Sequence, residues 1–138
     1  MVVVGGSRRK AGKTTVVESF LRENAEAGWT AIKIAGHRHP PTVSGDTARY
    51  LAAGAKRAEL LVADDVRACL PFVQQRIAES CHTIIESTRL LDCLTPDLSV
   101  LVVDMGAGIK ESCRRHLDRA DVLILVRRRA APVRAALP

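Results

Sequence analysis

An open, mostly parallel β-sheet with helices on both faces, a three-layer α/β fold, is what this sequence predicts, and three observations carry that expectation. Short apolar runs alternate along the chain with stretches of helical periodicity, the order that builds βαβ units. Several runs, such as Val2–Val4 and Val100–Val103, are continuously apolar, as strands covered on both faces are. Glycines that stop helices, chiefly Gly28 and Gly54, fall between the runs. The 138 residues suit one domain, and 47% apolar against 26% charged residues is a globular composition. The expected organisation is a domain over residues 1–126 followed by a basic tail, 127–138, with no repeat and no low-complexity tract.

In order, Val2–Val4 reads as a strand ending at Gly5-Gly6. Lys13–Ala27 reads as a helix, because Val16, Val17, Phe20, Leu21 and Ala25 recur at helical spacing and Gly28 stops it. Thr30–Ala35 is a second strand. Asp46–Ala53 is a helix with Asp46 as its expected cap, ended by Gly54. Glu59–Ala63 is strand-like. Val66–Ser80 is helical, with Pro71 disturbing its first turns. Thr83–Glu86 and Leu98–Asp104 are strands, Ile109–Arg119 a helix, and Val122–Val126 the last strand.

Composition narrows the function classes. Aromatics are 3% of the chain, so the core must be Val, Leu, Ile and Ala, and modules that stack bases on aromatic platforms are disfavoured. Nucleic acid is therefore an unlikely partner. Net charge is 21 − 15 = +6, which favours anionic partners such as nucleotides or phosphorylated cofactors. No apolar run approaches the roughly 18–20 residues that span a bilayer. Cys69, Cys81, Cys93 and Cys113 form no Cys-x-x-Cys pair and read as reduced thiols on buried faces of a cytoplasmic protein without a membrane anchor.

In such sheets ligands bind at the carboxyl ends of the strands. That rule selects Ser7–Thr15, Gly36–His39, Asp64-Asp65, Glu86-Ser87, Asp104–Gly106 and Arg127–Arg129. The first is the strongest signal. Gly5-Gly6-Ser7-Arg8-Arg9-Lys10-Ala11-Gly12-Lys13-Thr14-Thr15 follows a strand and opens a helix, the context a phosphate-binding P-loop requires. Glycines let the backbone curl so that its N–H groups face phosphate oxygens, and the helix start adds partial positive charge. Lys13 is expected at the β- and γ-phosphates, Thr14 on Mg²⁺ and Thr15 at the α-phosphate. The motif departs from its usual form at the first position, where Ser7 stands for glycine. A small residue with negative φ fits there. Arg8, Arg9 and Lys10 make the loop strongly cationic, either to stabilise phosphate charge, on this chain or a partner subunit, or as solvated loop charge.

Mg²⁺ on a P-loop hydroxyl usually needs a carboxylate at a nearby strand end, and Glu86 and Asp104 both qualify. Asp64 and Asp65 read more simply as helix caps. His37, Arg38 and His39 end the second strand as an anion site, a metal-ligand pair or an exposed polar loop. Asp46 either positions water or a metal ligand, or caps its helix, with Arg49 one turn on. The tail's Arg127-Arg128-Arg129 reads as a disordered end or an anionic docking segment.

Three stretches resemble the family of molybdopterin-guanine dinucleotide biosynthesis protein B: Gly12-Lys13-Thr14-Thr15, Ile32-Lys33-Ile34-Ala35-Gly36-His37-Arg38-His39, and Ser44-Gly45-Asp46-Thr47-Ala48-Arg49 running through Tyr50 and Leu51 to Ala52-Ala53-Gly54-Ala55. Ile85-Glu86-Ser87 stands where that family has Val-Glu-Gly. The likeness covers about residues 1–87. It implies a homodimeric P-loop protein that binds GTP with Mg²⁺, hydrolyses it slowly and assists a client enzyme of cofactor assembly, with Lys13, Asp46 and Glu86 as catalytic residues. Ser87 for glycine, the shortened histidine cluster and the dissimilar second half depart from the family. The guanine-reading Asn-Lys-x-Asp pattern is absent after the last strand, so GTP over ATP is favoured by resemblance only. A small-molecule kinase or ligase on the same scaffold, and a nucleotide-binding regulator without chemistry, are the alternatives.

Overall fold

The structure is a computed structural model that describes residues 1–37 and 45–127. Its framework is a six-stranded sheet in the order β3-β2-β4-β1-β5-β6, and every strand pairing is parallel. The strands are β1 (Val2–Gly6), β2 (Thr30–Ala35), β3 (Arg57–Val62), β4 (Thr83–Glu86), β5 (Leu98–Asp104) and β6 (Val122–Val126). Helices α1 (Lys13–Glu23), α2 (Asp46–Ala52), α3 (Leu70–Glu79) and α4 (Glu111–Arg114) connect them.

Strand alternation sends successive side chains to opposite faces, and two cores result. Val2 and Val4 join Val17 and Leu21 of α1 and Tyr50 of α2 in one. Val3 joins Ile32, Ile34 and Ile85 with Val73 of α3 in the other. Helices thus cover both faces, which makes three layers, and the parallel sheet is the expected one without an antiparallel strand.

The chain leaves β1 toward β2 and β3, returns to β4, then passes over β1 to β5 and β6. The strand order therefore reverses around β1, and a crevice opens at the carboxyl ends of β1, β4 and β2. This topology positions the site.

Several boundaries differ from the sequence reading, each for a local reason. Helix α1 stops at Glu23, short of Ala27, because the Asn24 side-chain amide donates to the Phe20 carbonyl at 2.8 Å in place of the backbone N–H of Asn24, which turns to Leu21. A 3₁₀ turn over Ala25–Ala27 follows. The expected helix over Val66–Ser80 begins as a 3₁₀ turn, Val66–Cys69, and Pro71 sits in the first turn of α3, where its missing N–H is harmless. Strand β3 starts two residues early, because Arg57 and Ala58 pair with Thr30 and Ala31 of β2 even though Arg57 is exposed. The expected helix Ile109–Arg119 shrinks to α4, after which bonds such as His116 N–H to the Cys113 carbonyl tighten the chain into turns. Of the cysteines, Cys69 and Cys113 are buried as expected, whereas Cys81 is exposed, and none is in a disulfide.

Candidate functional site

The loop between β1 and α1 is stitched down before it curls. Ser7, fully buried, donates its N–H to the Val102 carbonyl at 2.9 Å, and its hydroxyl accepts the Asp104 N–H at 2.9 Å. Its carbonyl takes the Lys110 N–H at 2.8 Å. Ser7 therefore replaces glycine with a residue that anchors the loop to β5. Among the described residues Lys10 is the one non-glycine with positive φ, 62°, and Gly12 follows at 110°, so the required negative φ at Ser7 holds. Two left-handed positions fold the loop back over the start of α1, where Gly12 caps the helix with no side-chain hydrogen bond. No side chain caps the first turn of α1, and Gly12, Lys13, Thr14 and Thr15 line the cleft. At Gly6 a Cβ would stand 2.8 Å from Cγ of Lys13, so glycine lets the lysine stem lie across the loop. Its ammonium reaches back to the Arg8 carbonyl at 3.4 Å.

A cleft of about 1040 Å³ lies over this loop and runs to the carboxyl ends of β2 and β3. Arg9, Lys10, Lys13, Lys33 and Lys110 give it positive charge, against the carboxylates of Asp46, Asp64 and Glu86. Thr14 and Glu86 meet inside it, the hydroxyl lying 2.9 and 3.1 Å from the two carboxylate oxygens. Burial pushes the Glu86 carboxyl above its ordinary value, with Lys33 and Lys13 pulling it down. Burial pulls the Lys13 ammonium below its ordinary value, opposed by Glu86 and reinforced by Lys110 and Lys33. A lysine held charged only with difficulty is a lysine that gains from an anion.

Asp104 has a different environment. It is also buried, but Arg8 Nε and Nη2 donate to its Oδ2 at 2.9 and 2.6 Å, and the Gly106 N–H to its Oδ1 at 2.9 Å. The pair lines a separate cavity of about 280 Å³ with Met105, Gly106 and Arg127. Of the two carboxylates expected on the metal side, Glu86 is the one brought to Thr14. Arg8 faces Asp104, while Arg9 and Lys10 line the main cleft. Ala11 is buried and Thr15 exposed at the cleft.

Asp46 is not the helix cap. Gly45 occupies that position, and Asp46, at the first helical residue, is ion-paired with Lys33. Arg49, at the cleft wall, grips Glu18 of α1 through two bonds of 2.7 Å and lies 3.7 Å from Asp46 Oδ1. Asp65 does cap the turn at Val66, through the Arg67 N–H at 3.0 Å, while Asp64 accepts from the His37 N–H and lies 3.0 Å from its Nδ1. Arg38, His39, Ser44, Arg128 and Arg129 lie outside the described residues.

Sequence reasoning gave no role to two residues at Glu86. Lys33 lies 3.6 Å from its Oε1, and the fully buried Tyr50 donates its hydroxyl to its Oε2. Lys33 carried a usable signal: a lysine between Ile32 and Ile34, in a strand covered on both faces, must have a charged partner. Tyr50 stood only inside the helix Asp46–Ala53, within a stretch that resembles the family, with no role of its own. Among the described residues no cluster of three or more His, Cys, Asp or Glu side chains could hold a metal. The Thr14 hydroxyl and the Glu86 carboxylate, which meet in the cleft, are hard oxygen donors of the kind that suits Mg²⁺ when phosphate oxygens and water complete its shell.

No family description, curated relative or solved structure matches this chain. No helix among the described residues is long and apolar enough to cross a membrane.

Proposed function

We propose that the cleft binds a nucleoside triphosphate with Mg²⁺ and hydrolyses it slowly. The observation that carries this reading is the convergence of the Lys13 ammonium, the Thr14 hydroxyl and the Glu86 carboxylate beneath a curled loop at the open amino end of α1. The amides of that first turn bind phosphate oxygens, and Lys13 neutralises the outer phosphates. Thr14 and Glu86 hold the metal, which supplies charge neutralisation on the phosphoryl oxygens. Asp46 orients the attacking water, in a position fixed by its pairing with Lys33 and by the Arg49–Glu18 clasp that holds α2 against α1.

The resemblance described above adds that GTP is the favoured nucleotide, and that the chain works in the cytoplasm as a homodimer beside a client enzyme of cofactor assembly. A second reading, phosphoryl transfer to a small acceptor, is favoured by one observation: the cleft continues past the loop to Gly36, Leu60, Asp64 and Arg89.

The deciding experiment is a thermal-shift titration with GTP, ATP and their diphosphates, with and without Mg²⁺, on the wild-type chain and on Lys13→Ala. The expected result is a Mg²⁺-dependent rise in Tm with wild type that vanishes in the variant while its far-UV spectrum is kept. An equal rise in both sinks the assignment. Phosphate released without added acceptor supports hydrolysis; turnover only with an acceptor supports the second reading.

A further inference from the structure

Inside the cleft, side chains from four elements form a line of alternating character: the Thr14 hydroxyl on α1, the Glu86 carboxylate on β4, the Lys33 ammonium on β2 and the Asp46 carboxylate on α2. The sheet register makes this arrangement, since Lys33 and Glu86 are direct partners across the parallel β2–β4 pair and leave the sheet on the same face. One ammonium, ion-paired with Asp46 and 3.6 Å from Glu86 Oε1, bridges both carboxylates, while Arg49 Nη1 lies 3.7 Å from Asp46 Oδ1. Lys33 is about three-quarters covered, its side chain 26% exposed, and Glu86 is almost wholly covered.

We propose that Lys33 is a built-in counter-cation that fills, in the nucleotide-free protein, the electrostatic place of the divalent metal. The inference rests on reading the cleft as a metal–polyphosphate site. A divalent cation entering beside Glu86 meets the ammonium on the same pair of carboxylates, and the two repel strongly at such separations. The metal is admitted only with a polyphosphate, whose negative charge gives Lys33 another anion to face. Lysine suits the task better than arginine: its charge is compact and its four-carbon stem lets the head move between anions without moving β2. Metal and nucleotide binding are thereby coupled, each raising the affinity for the other by the same factor.

The test uses Mn²⁺ as a paramagnetic substitute for Mg²⁺, with free Mn²⁺ followed by electron paramagnetic resonance, on the wild type, Lys33→Met and Lys33→Gln. Without nucleotide, the wild type is expected to bind Mn²⁺ weakly and the neutral variants at least tenfold more tightly. Mn²⁺ alone should raise the Tm of the variants and leave the wild type unmoved. Lys33→Arg should behave as the wild type, and adding Glu86→Gln to Lys33→Met should abolish the gain. Equal Mn²⁺ affinity in the wild type and both neutral variants overturns the inference, even where the wild type binds Mg-nucleotide normally. If the wild type binds no nucleotide, the cleft reading fails, and Mn²⁺ uptake by nucleotide-free variants still decides the role of Lys33. Should Lys33→Met not fold, Lys33→Gln carries the same comparison.

Discussion

Glu86 and Asp104 end the two strands that flank β1, both are buried, and position at a strand end does not by itself distinguish them. Their neighbours do. Glu86 receives a hydroxyl from α1, a phenol from α2 and an ammonium from β2, and it faces the large cleft. Asp104 is held by a guanidinium and a backbone N–H, and it faces a small side cavity. A carboxylate surrounded by exchangeable partners is available to a ligand, whereas one clamped by a planar, permanently charged guanidinium is structural. The same residue class at the same topological position therefore meets two different environments, and the side chain across from it sets which.

The largest effect expected from this contrast is on metal-dependent binding. Glu86→Gln should lower Mg-nucleotide affinity about 100-fold, roughly 2.7 kcal/mol, and remove the difference between titrations with and without Mg²⁺. Asp104→Asn should keep that difference. Calorimetric titration of both variants checks it, and equal losses would erase the distinction drawn here.

Next is stability on the Asp104 side. Arg8→Ala leaves a buried carboxylate without its guanidinium, at a cost of about 1–3 kcal/mol in urea unfolding. The partial exposure of Arg8, 34% of its side chain, places the loss toward the lower end. A loss confined to nucleotide affinity, with no change in unfolding midpoint, would move Arg8 from scaffold to site.

The pH dependence sharpens the contrast further. The Glu86 carboxyl is raised in the native state, so between its ordinary value of 4.5 and the raised value the folded chain holds more protons than the unfolded one. Its contribution is full below 4.5 and is lost as pH rises through the native value. Glu86→Gln should flatten that part of the stability–pH curve, and an unchanged slope would place the responsible group elsewhere.

The smallest effect on the free protein's stability concerns Lys13. Its ammonium is held below its ordinary value by burial, so the nucleotide-free fold carries the cost of a desolvated charge. Lys13→Met should therefore raise the Tm of the free protein by a few degrees while removing its response to nucleotide. A lower Tm would mean that contact with the Arg8 carbonyl outweighs the desolvation.

Much of this was legible in the sequence because local rules and tertiary needs agree there. Thr30–Ala35, Thr83–Glu86, Leu98–Asp104 and Val122–Val126 are strands with the expected bounds, and α1 starts at Lys13 as the loop chemistry requires. The rest depends on facts that no single segment holds. Whether Asp46 caps its helix or pairs with Lys33 is decided by α2 packing against β2, and the Arg49–Glu18 clasp by α2 packing against α1. The early end of α1 turned on one side-chain amide outcompeting its own backbone. The separation of Glu86 from Asp104 followed from strand order, which alternating apolar runs do not specify.

Strand β6 carries a consequence of another kind. It closes the sheet on one side, and Val122, Leu123 and Leu125 stay exposed beside Met105. Among the described residues no strand pairs with its outer rim, so it presents backbone donors and acceptors together with greasy side chains to any extended peptide that drifts past. Handling this protein at high concentration is thus a question about its margin rather than its centre, and Leu125→Lys is the substitution that should keep it in solution.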